Sequence, residues 1–437
     1  MVTKSIFEFI DNESLEISLG RVTAMDRIVT MTLQMLLKVI LLKNSWNGVP
    51  QVLVDEVRKC GDVIQRRNPL HFEIGNTTLR MLRFIRHAAE EVYNEHLQQQ
   101  QQQQQQKQPQ QESDQSPVQP RSESGSQFTP SPRPVSISPI GVSPDPGMSF
   151  PHSLPDADLR APLSASRVLA EDLNNRPFMT KPFDKAMRAK VRDLVSTNCQ
   201  EFESEIETAL PEINRVAREH VHPNECILVY GYSSTVASFL ISAHQRGVKF
   251  EVLVADSAPR CDGQEMTVEL VKAGITTTLI PDSALFVMMP RVNKVIVGAN
   301  AIMSNGGIIT ASGVHLLALV ARKHGVPLTV CSSLFKLTPR YPYDLEFLSC
   351  LANPAEVLPH DMLPHPDQVG VLNPRFDYVP PELVSLFITD HGCHTPSFIY
   401  RLLEEYYDAE DYQFNPILAS APVVPSTSSS ASLSSID

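Results

Sequence analysis

Residues 294–333 read KVIVGANAIMSNGGIITASGVHLLALVARKHGVPLTVCSS. Val295, Ile296 and Val297 form a short apolar, β-branched run, the pattern of a strand buried on both faces. Gly298 ends it, and a loop carrying Asn305, Gly306 and Gly307 is expected next. From Ser312 to Lys323 apolar residues recur at helical spacing (Val314, Leu317, Ala318, Ala321), and Gly325-Val326-Pro327 stops the helix. Leu328 to Cys331 is then a second buried strand. This is one strand–helix–strand unit with a Gly-rich loop at the carboxyl end of its first strand, the end at which open α/β sheets bind ligands.

Working outward, the same alternation covers the C-terminal half. Strands are expected at 227–230, 250–255, 276–280 and 384–388, with helices at 233–247, 264–273, 284–289 and 396–407. Short strands alternating with helices predict a parallel sheet covered on both faces. A long helical stretch precedes them over 183–220, which Pro211 should kink or split. Residues 1–97 read as helices. In the last of these, Leu79, Leu82, Ile85 and Val92 fall on one side and Arg80, Arg83 and Arg86 on the other, as a solvated face or a partner-binding stripe. From Gln98 the composition turns to Gln, then Pro and Ser, which cannot bury enough apolar surface to order itself. The expected organisation is a helical domain over 1–97, a disordered linker over 98–163, a Rossmann-like α/β domain over 164–413 and a disordered tail over 414–437.

The chain has 437 residues, 42% hydrophobic, with a net charge of -12. That charge argues against non-specific nucleic-acid binding, which needs a basic face. Neither a secretory leader nor an apolar run long enough for a bilayer is legible. The seven cysteines are scattered without a Cys-x-x-Cys pair and read as reduced thiols, most of them buried. A soluble, cytosolic protein is the expectation. His391, Cys393 and His394 lie close together, but the spacing matches no standard zinc site, so no metal is expected; nor is a cofactor.

The loops after the strands carry the polar groups. Gly231, Ser233 and Ser234 lead into a helix N-terminus, where backbone N–H groups favour anions. Asp256 and Arg260 follow the second strand, Asn305 and Gly307 the fourth, and Lys336 the fifth. Together they would suit a sugar or nucleotide phosphate; ordinary loop chemistry is the plainer alternative.

The pattern V-G-A-N-x-I-x-x-N-G before a helix, with Asn373-Pro374-x-Phe376-Asp377-x-x-Pro380-Pro381-Glu382-Leu383, resembles the superfamily of methylthioribose-1-phosphate isomerase, ribose-1,5-bisphosphate isomerase and the regulatory subunits of eukaryotic translation initiation factor 2B. Ser283 to Phe286, Arg291 to Ile296, Phe335 to Pro339, Phe376 to Ile388 and Pro396 to Leu402 resemble one branch of those regulatory subunits. The resemblance covers the helical region to about His96 and residues 168–411; the Gln-rich segment departs from it as an insertion. The isomerases of the superfamily use a Cys after the first strand and an Asp after the Asn-Gly pair. The resemblance places these positions at Gly231 and Gly307, which implies a fold kept and an isomerase chemistry lost.

It further implies a regulatory subunit of a guanine-nucleotide exchange factor that recharges initiation factor 2. The other subunits would be its partners, delta foremost, with alpha, gamma and epsilon. The regulatory body binds the alpha subunit of initiation factor 2 and senses its phosphorylation. Phe376, Tyr378, Pro380, Pro381, Leu383, Leu386 and Phe387 are then candidate interface residues, and Arg80, Arg83 and Arg86 candidate contacts for the phosphorylated partner, because guanidinium groups offer paired donors. A phosphosugar isomerase and a sugar-phosphate or nucleotide sensor on the same fold remain the alternatives.

Overall fold

The computed structural model describes residues 2–19, 21–22, 24–42, 48–69, 71–106, 176–342, 351–359, 362, 369–408 and 411. The Gln/Pro/Ser-rich segment beyond 106 and the tail from 412 lie outside them. Met1–Asn94 and Leu173–Asp437 form one compact unit; Glu95–Asp172 form another.

Four helices open the chain: α1 (Val2–Ser18), α2 (Met25–Leu42), α3 (Pro50–Arg67) and α4 (Phe72–Gln106). Pro50 starts α3, where its missing N–H costs nothing. Helix α4 does not stop at Gln98: it runs on through the glutamine run to Gln106. Glutamine is a good helix former, so an established helix propagates into it. Helix α5 (Lys185–Arg215) likewise continues through Pro211 as a single element. Pro211 is exposed and stands near the C-terminal end of this helix.

The sheet contains seven strands in the order β10-β9-β7-β4-β1-β2-β3. These are β1 (Cys226–Tyr230), β2 (Glu251–Ala255), β3 (Thr276–Ile280), β4 (Lys294–Gly298), β7 (Leu328–Cys331), β9 (Leu386–Thr389) and β10 (Gly392–His394). All neighbours are parallel except β10, which turns back antiparallel on β9. The chain builds outward from β1 to β3, then crosses to β4 and builds the other way, so the topological switch point lies between β1 and β4. Alternate residues feed opposite faces: Leu228, Val295, Val297 and Val330 join the core beneath α1–α5, while Ile227, Val229 and Ile296 join the core beneath α6 (Ser234–Gln245) and α7 (Gly263–Lys272). The first of these cores is continuous from Ile10 in α1 through Phe387 in β9, both fully buried.

The stretch 299–313 is not a loop. Ala301–Ile302 (β5) and Ile308–Ala311 (β6) form a hairpin, and Phe376–Val379 (β8) pairs with β6 to complete a small antiparallel sheet. The β-branched pair Ile308-Ile309 and Thr310 carry this strand preference. The run 376–388 therefore splits between two sheets, with a 3-10 turn at Pro381–Leu383 between β8 and β9. Helices α8 (Val314–His324) and α9 (Ile399–Tyr406) complete the unit. Among the described residues no helix is long and apolar enough to cross a membrane.

Candidate functional site

At the switch point the carboxyl ends of β1, β2 and β4 meet. Gly231 adopts φ +59°, and its N–H donates to the Ala255 carbonyl oxygen at 3.0 Å. A Cβ there would meet the Ser257 side chain at 3.1 Å, a tight contact from which the serine would have to give by a few tenths of an ångström. Ser233 sits before α6 and packs onto β4, its Oγ 2.4 Å from where a Cβ on Gly298 would be. Asp282 organises the β2 loop: it accepts from the N–H groups of Ser257 (2.9 Å) and Ala258 (2.8 Å) and from the Tyr230 hydroxyl (3.4 Å). Burial, aided by Asp282, pushes the Tyr230 pKa up, so its proton stays on. Arg260 pairs with Asp262 at 3.4 Å and remains 45% exposed, turned to its own loop.

Asn305 and Gly307 belong to the hairpin turn. The Asn305 Nδ2 donates to the Tyr378 hydroxyl (2.6 Å), and its Oδ1 accepts from the Gly307 N–H (3.0 Å). A Cβ on Gly307 would lie 2.6 Å from the Tyr378 ring. Gly313, at φ +101°, is likewise covered: the Tyr230 hydroxyl would be 1.9 Å from a Cβ. Two tyrosines thus stand where side chains at Gly307 and Gly313 would project. Asp377 on β8 accepts from the N–H groups of Gly313 (2.6 Å) and His315 (3.3 Å), closing the N-terminus of α8.

Lys336, in the 3-10 turn after β7, does not face these loops freely. It is buried, and its ammonium donates to the Ala299 carbonyl oxygen at 3.0 Å. Burial holds its pKa below the ordinary 10.5, against the pull of Glu73 and Asp26. The unfolded chain therefore binds more protons than the native one between that lowered value and 10.5, and stability rises with pH through the window. Lys336→Met is expected to raise stability near neutral pH by roughly 1–4 kcal/mol, as when buried ions give way to packed apolar groups. It should also flatten the alkaline rise, both read by urea titration at several pH values.

The arginine stripe is a seam within the chain rather than a solvated face. Arg80 is buried, pairs with Glu205 at 2.6 Å and lies over the rings of Phe202 (4.2 Å) and Tyr406 (4.4 Å). Arg83 donates to the Glu404 carbonyl oxygen at 3.0 Å. Arg86 is 2% exposed and grips Asp411 through two bonds of 2.5 and 2.8 Å and Asp408 at 2.9 Å. Burial opposes its charge, but these carboxylates hold its pKa above the ordinary arginine value. Helix periodicity counted the arginines as outward; the C-terminal segment covers that side.

The run 376–387 is mostly internal as well. Phe376, Leu383 and Phe387 are buried, while Tyr378, Pro380, Pro381 and Leu386 are half-buried. His391, Cys393 and His394 sit on the β9–β10 hairpin, where Cys393 contacts His220 at 3.0 Å. Among the described residues no group of three metal-ligating side chains assembles. Cys60, Cys199 and Cys331 are buried, Cys226 and Cys261 half-buried and Cys393 exposed. Tyr230, Asp282 and Asp377 escaped the sequence reading as site residues. Tyr230 closes an apolar strand and reads as core; only the neighbouring turn residues mark the place.

The profile of the Initiation factor 2 subunit family matches residues 21–396. A Schizosaccharomyces pombe protein, translation initiation factor eIF2B subunit beta, is 34% identical over 386 residues, 88% of this chain and 92% of its own. A Dictyostelium discoideum protein of the same description is 46% identical over 222 residues, but the match spans only 51% of this chain and 57% of that one. The branch resembled by residues 283–402 is thus the beta branch. Among solved structures, eIF2B beta from Chaetomium thermophilum superposes with a TM-score of 0.61 at 23% identity, covering 94% of this chain and 96% of that one. The tetrameric eIF2B-beta2-delta2 complex from the same organism contains a chain superposing at 0.56 and 21% identity, with 92% and 95% covered. At such identities these two establish the fold. The long profile match and the S. pombe relative together place the chain in the initiation factor 2 subunit family.

Proposed function

We propose that the chain is a non-catalytic regulatory subunit of translation initiation factor 2B, the cytosolic complex that exchanges GDP for GTP on initiation factor 2. In this reading it pairs with a delta-type subunit, sits alongside alpha, gamma and epsilon subunits, helps hold the alpha subunit of initiation factor 2 and senses its phosphorylation. What supports a loss of catalysis is glycine at both positions the isomerase resemblance assigns to the acid and base, with Ser257 close against Gly231 and Tyr378 against Gly307. Proton transfer between adjacent carbons needs both groups, facing a space for substrate.

The thiols nearby do not replace them. Cys226 begins β1, at the end of the strand away from the crevice. Cys261 shares a loop with Asp256, whose hydrogen bond and charge push the thiol pKa up, so the thiol stays protonated. Incubation with methylthioribose-1-phosphate or ribose-1,5-bisphosphate is expected to give no turnover above background. Complexes reconstituted without this chain are expected to lose the slowing of GDP release caused by phosphorylated alpha subunit. Turnover of either sugar, or exchange still fully sensitive to phosphorylation in its absence, overturns the proposal.

A further inference from the structure

The seven-stranded sheet ends on two edges, and they are not alike. Strand β10 has three residues, and such shortness is one of the ordinary ways of blunting an edge against further pairing. Strand β3 has five, Thr276-Thr277-Thr278-Leu279-Ile280, paired with β2 in unbroken register. It holds no charge, no proline and no bulge, the other devices that keep an edge closed. The Ile280 carbonyl oxygen accepts from the Asp256 N–H, so the backbone groups of Ile280, Thr278 and Thr276 turn toward β2. Those of Thr277 and Leu279 turn outward, and among the described residues no strand pairs with them.

Helix α7 packs beside this edge. Its Met266 and Leu270 point into the core, and Glu269 accepts from the Tyr232 hydroxyl on the side of α6. Helical geometry then puts Val271 on the opposite flank, toward the outer side of β3, with Val268 at the crest. Val271 and Val268 are 54% and 52% exposed. Leu279, whose partner Val254 lies in the core beneath α6 and α7, is 41% exposed on the same face of the sheet. On the other face of β3 the exposed side chains are Thr276 and Thr278. The edge is thus apolar toward α7 and hydroxylic away from it.

We propose that the outer edge of β3 and the adjoining flank of α7 form a groove that takes up an extended segment of another protein as an added strand. Only an extended backbone presents N–H and C=O groups at the spacing of Thr277 and Leu279. The two faces of the edge fix the segment's alternation: apolar side chains against Leu279 and Val271, polar ones beside Thr276 and Thr278. This inference does not depend on the functional reading above.

The test is selection of a phage-displayed library of random decapeptides on the full chain, then fluorescence anisotropy with the enriched peptides. Enrichment of sequences with apolar residues at alternate positions is expected. Leu279→Pro deletes one outward donor and leaves the ladder to β2 intact, a change an edge strand tolerates. Val271→Glu changes the helix flank, should the first variant fold poorly. With melting unchanged, each is expected to weaken binding at least about tenfold, through an unmet carbonyl in one case and a buried charge in the other. No enrichment over bare support overturns the groove, as do enriched peptides that bind both folded variants as tightly as the native chain. A native self-dimer in sedimentation that Leu279→Pro dissolves makes a second copy the occupant, which overturns the choice of partner.

Discussion

Asp411→Ala is expected to cost about 3–5 kcal/mol of stability, because it takes the closest carboxylate from the buried Arg86, which keeps Asp408, and also releases the half-buried Arg58. Asp411 is 1% exposed and takes Arg86 at 2.5 and 2.8 Å and Arg58 at 2.6 Å. It ties the end of the described chain to α3 and α4, which lie more than 300 positions earlier in sequence. Asp411→Asn keeps the shape and two of the acceptor sites and should lose less. The triple variant Asp411→Leu/Arg86→Met/Arg58→Met removes the charges together and is expected to recover much of the loss. Urea unfolding of the purified chain checks this series; a loss under about 1 kcal/mol for Asp411→Ala, typical of exposed pairs, would show the network to be solvated.

Gly307→Asp, which restores the residue type the isomerase resemblance assigns there, is expected to destabilise the hairpin by about 1–3 kcal/mol, the usual cost of overpacking. A Cβ would stand 2.6 Å from the Tyr378 ring, so the ring must swing away and break its 2.6 Å bond with Asn305. Gly307→Asp/Tyr378→Ala opens that volume and should be more stable than Gly307→Asp alone. This coupling, read as non-additivity between the two substitutions, is the signature of Tyr378 acting as a plug. Additive effects would mean that the tyrosine does not occupy the space. Neither variant is expected to gain isomerase turnover, since Gly231 still supplies no second proton-handling group.

Most of the sheet was legible because parallel strands buried on both faces leave a local mark: Ile227–Tyr230, Val295–Val297 and Leu328–Cys331 are short apolar runs bounded by glycine, proline or polar turns. The β5–β6–β8 sheet was not. Its pairing joins Ile308 to Val379 and Ala311 to Phe376, residues 71 and 65 positions apart, and Asn-Gly-Gly reads equally as a loop or as the turn of a hairpin. What the polar loop residues do is decided by their partners: Asn305 holds Tyr378, and the Lys336 ammonium donates to a backbone carbonyl.

By itself, then, the sequence determined the alternation of strands and helices, the family and the glycines at positions 231 and 307. These are local or linear properties, carried by periodicity and by motifs. Only the tertiary structure decided that Arg80, Arg83 and Arg86 bind within the chain, to Glu205, Glu404, Asp408 and Asp411, that Tyr378 stands against Gly307, and that Leu316 and Leu319 of α8 stay exposed. A helical wheel tells which side chains share a side, but which side is buried depends on segments hundreds of residues away that come to lie against it.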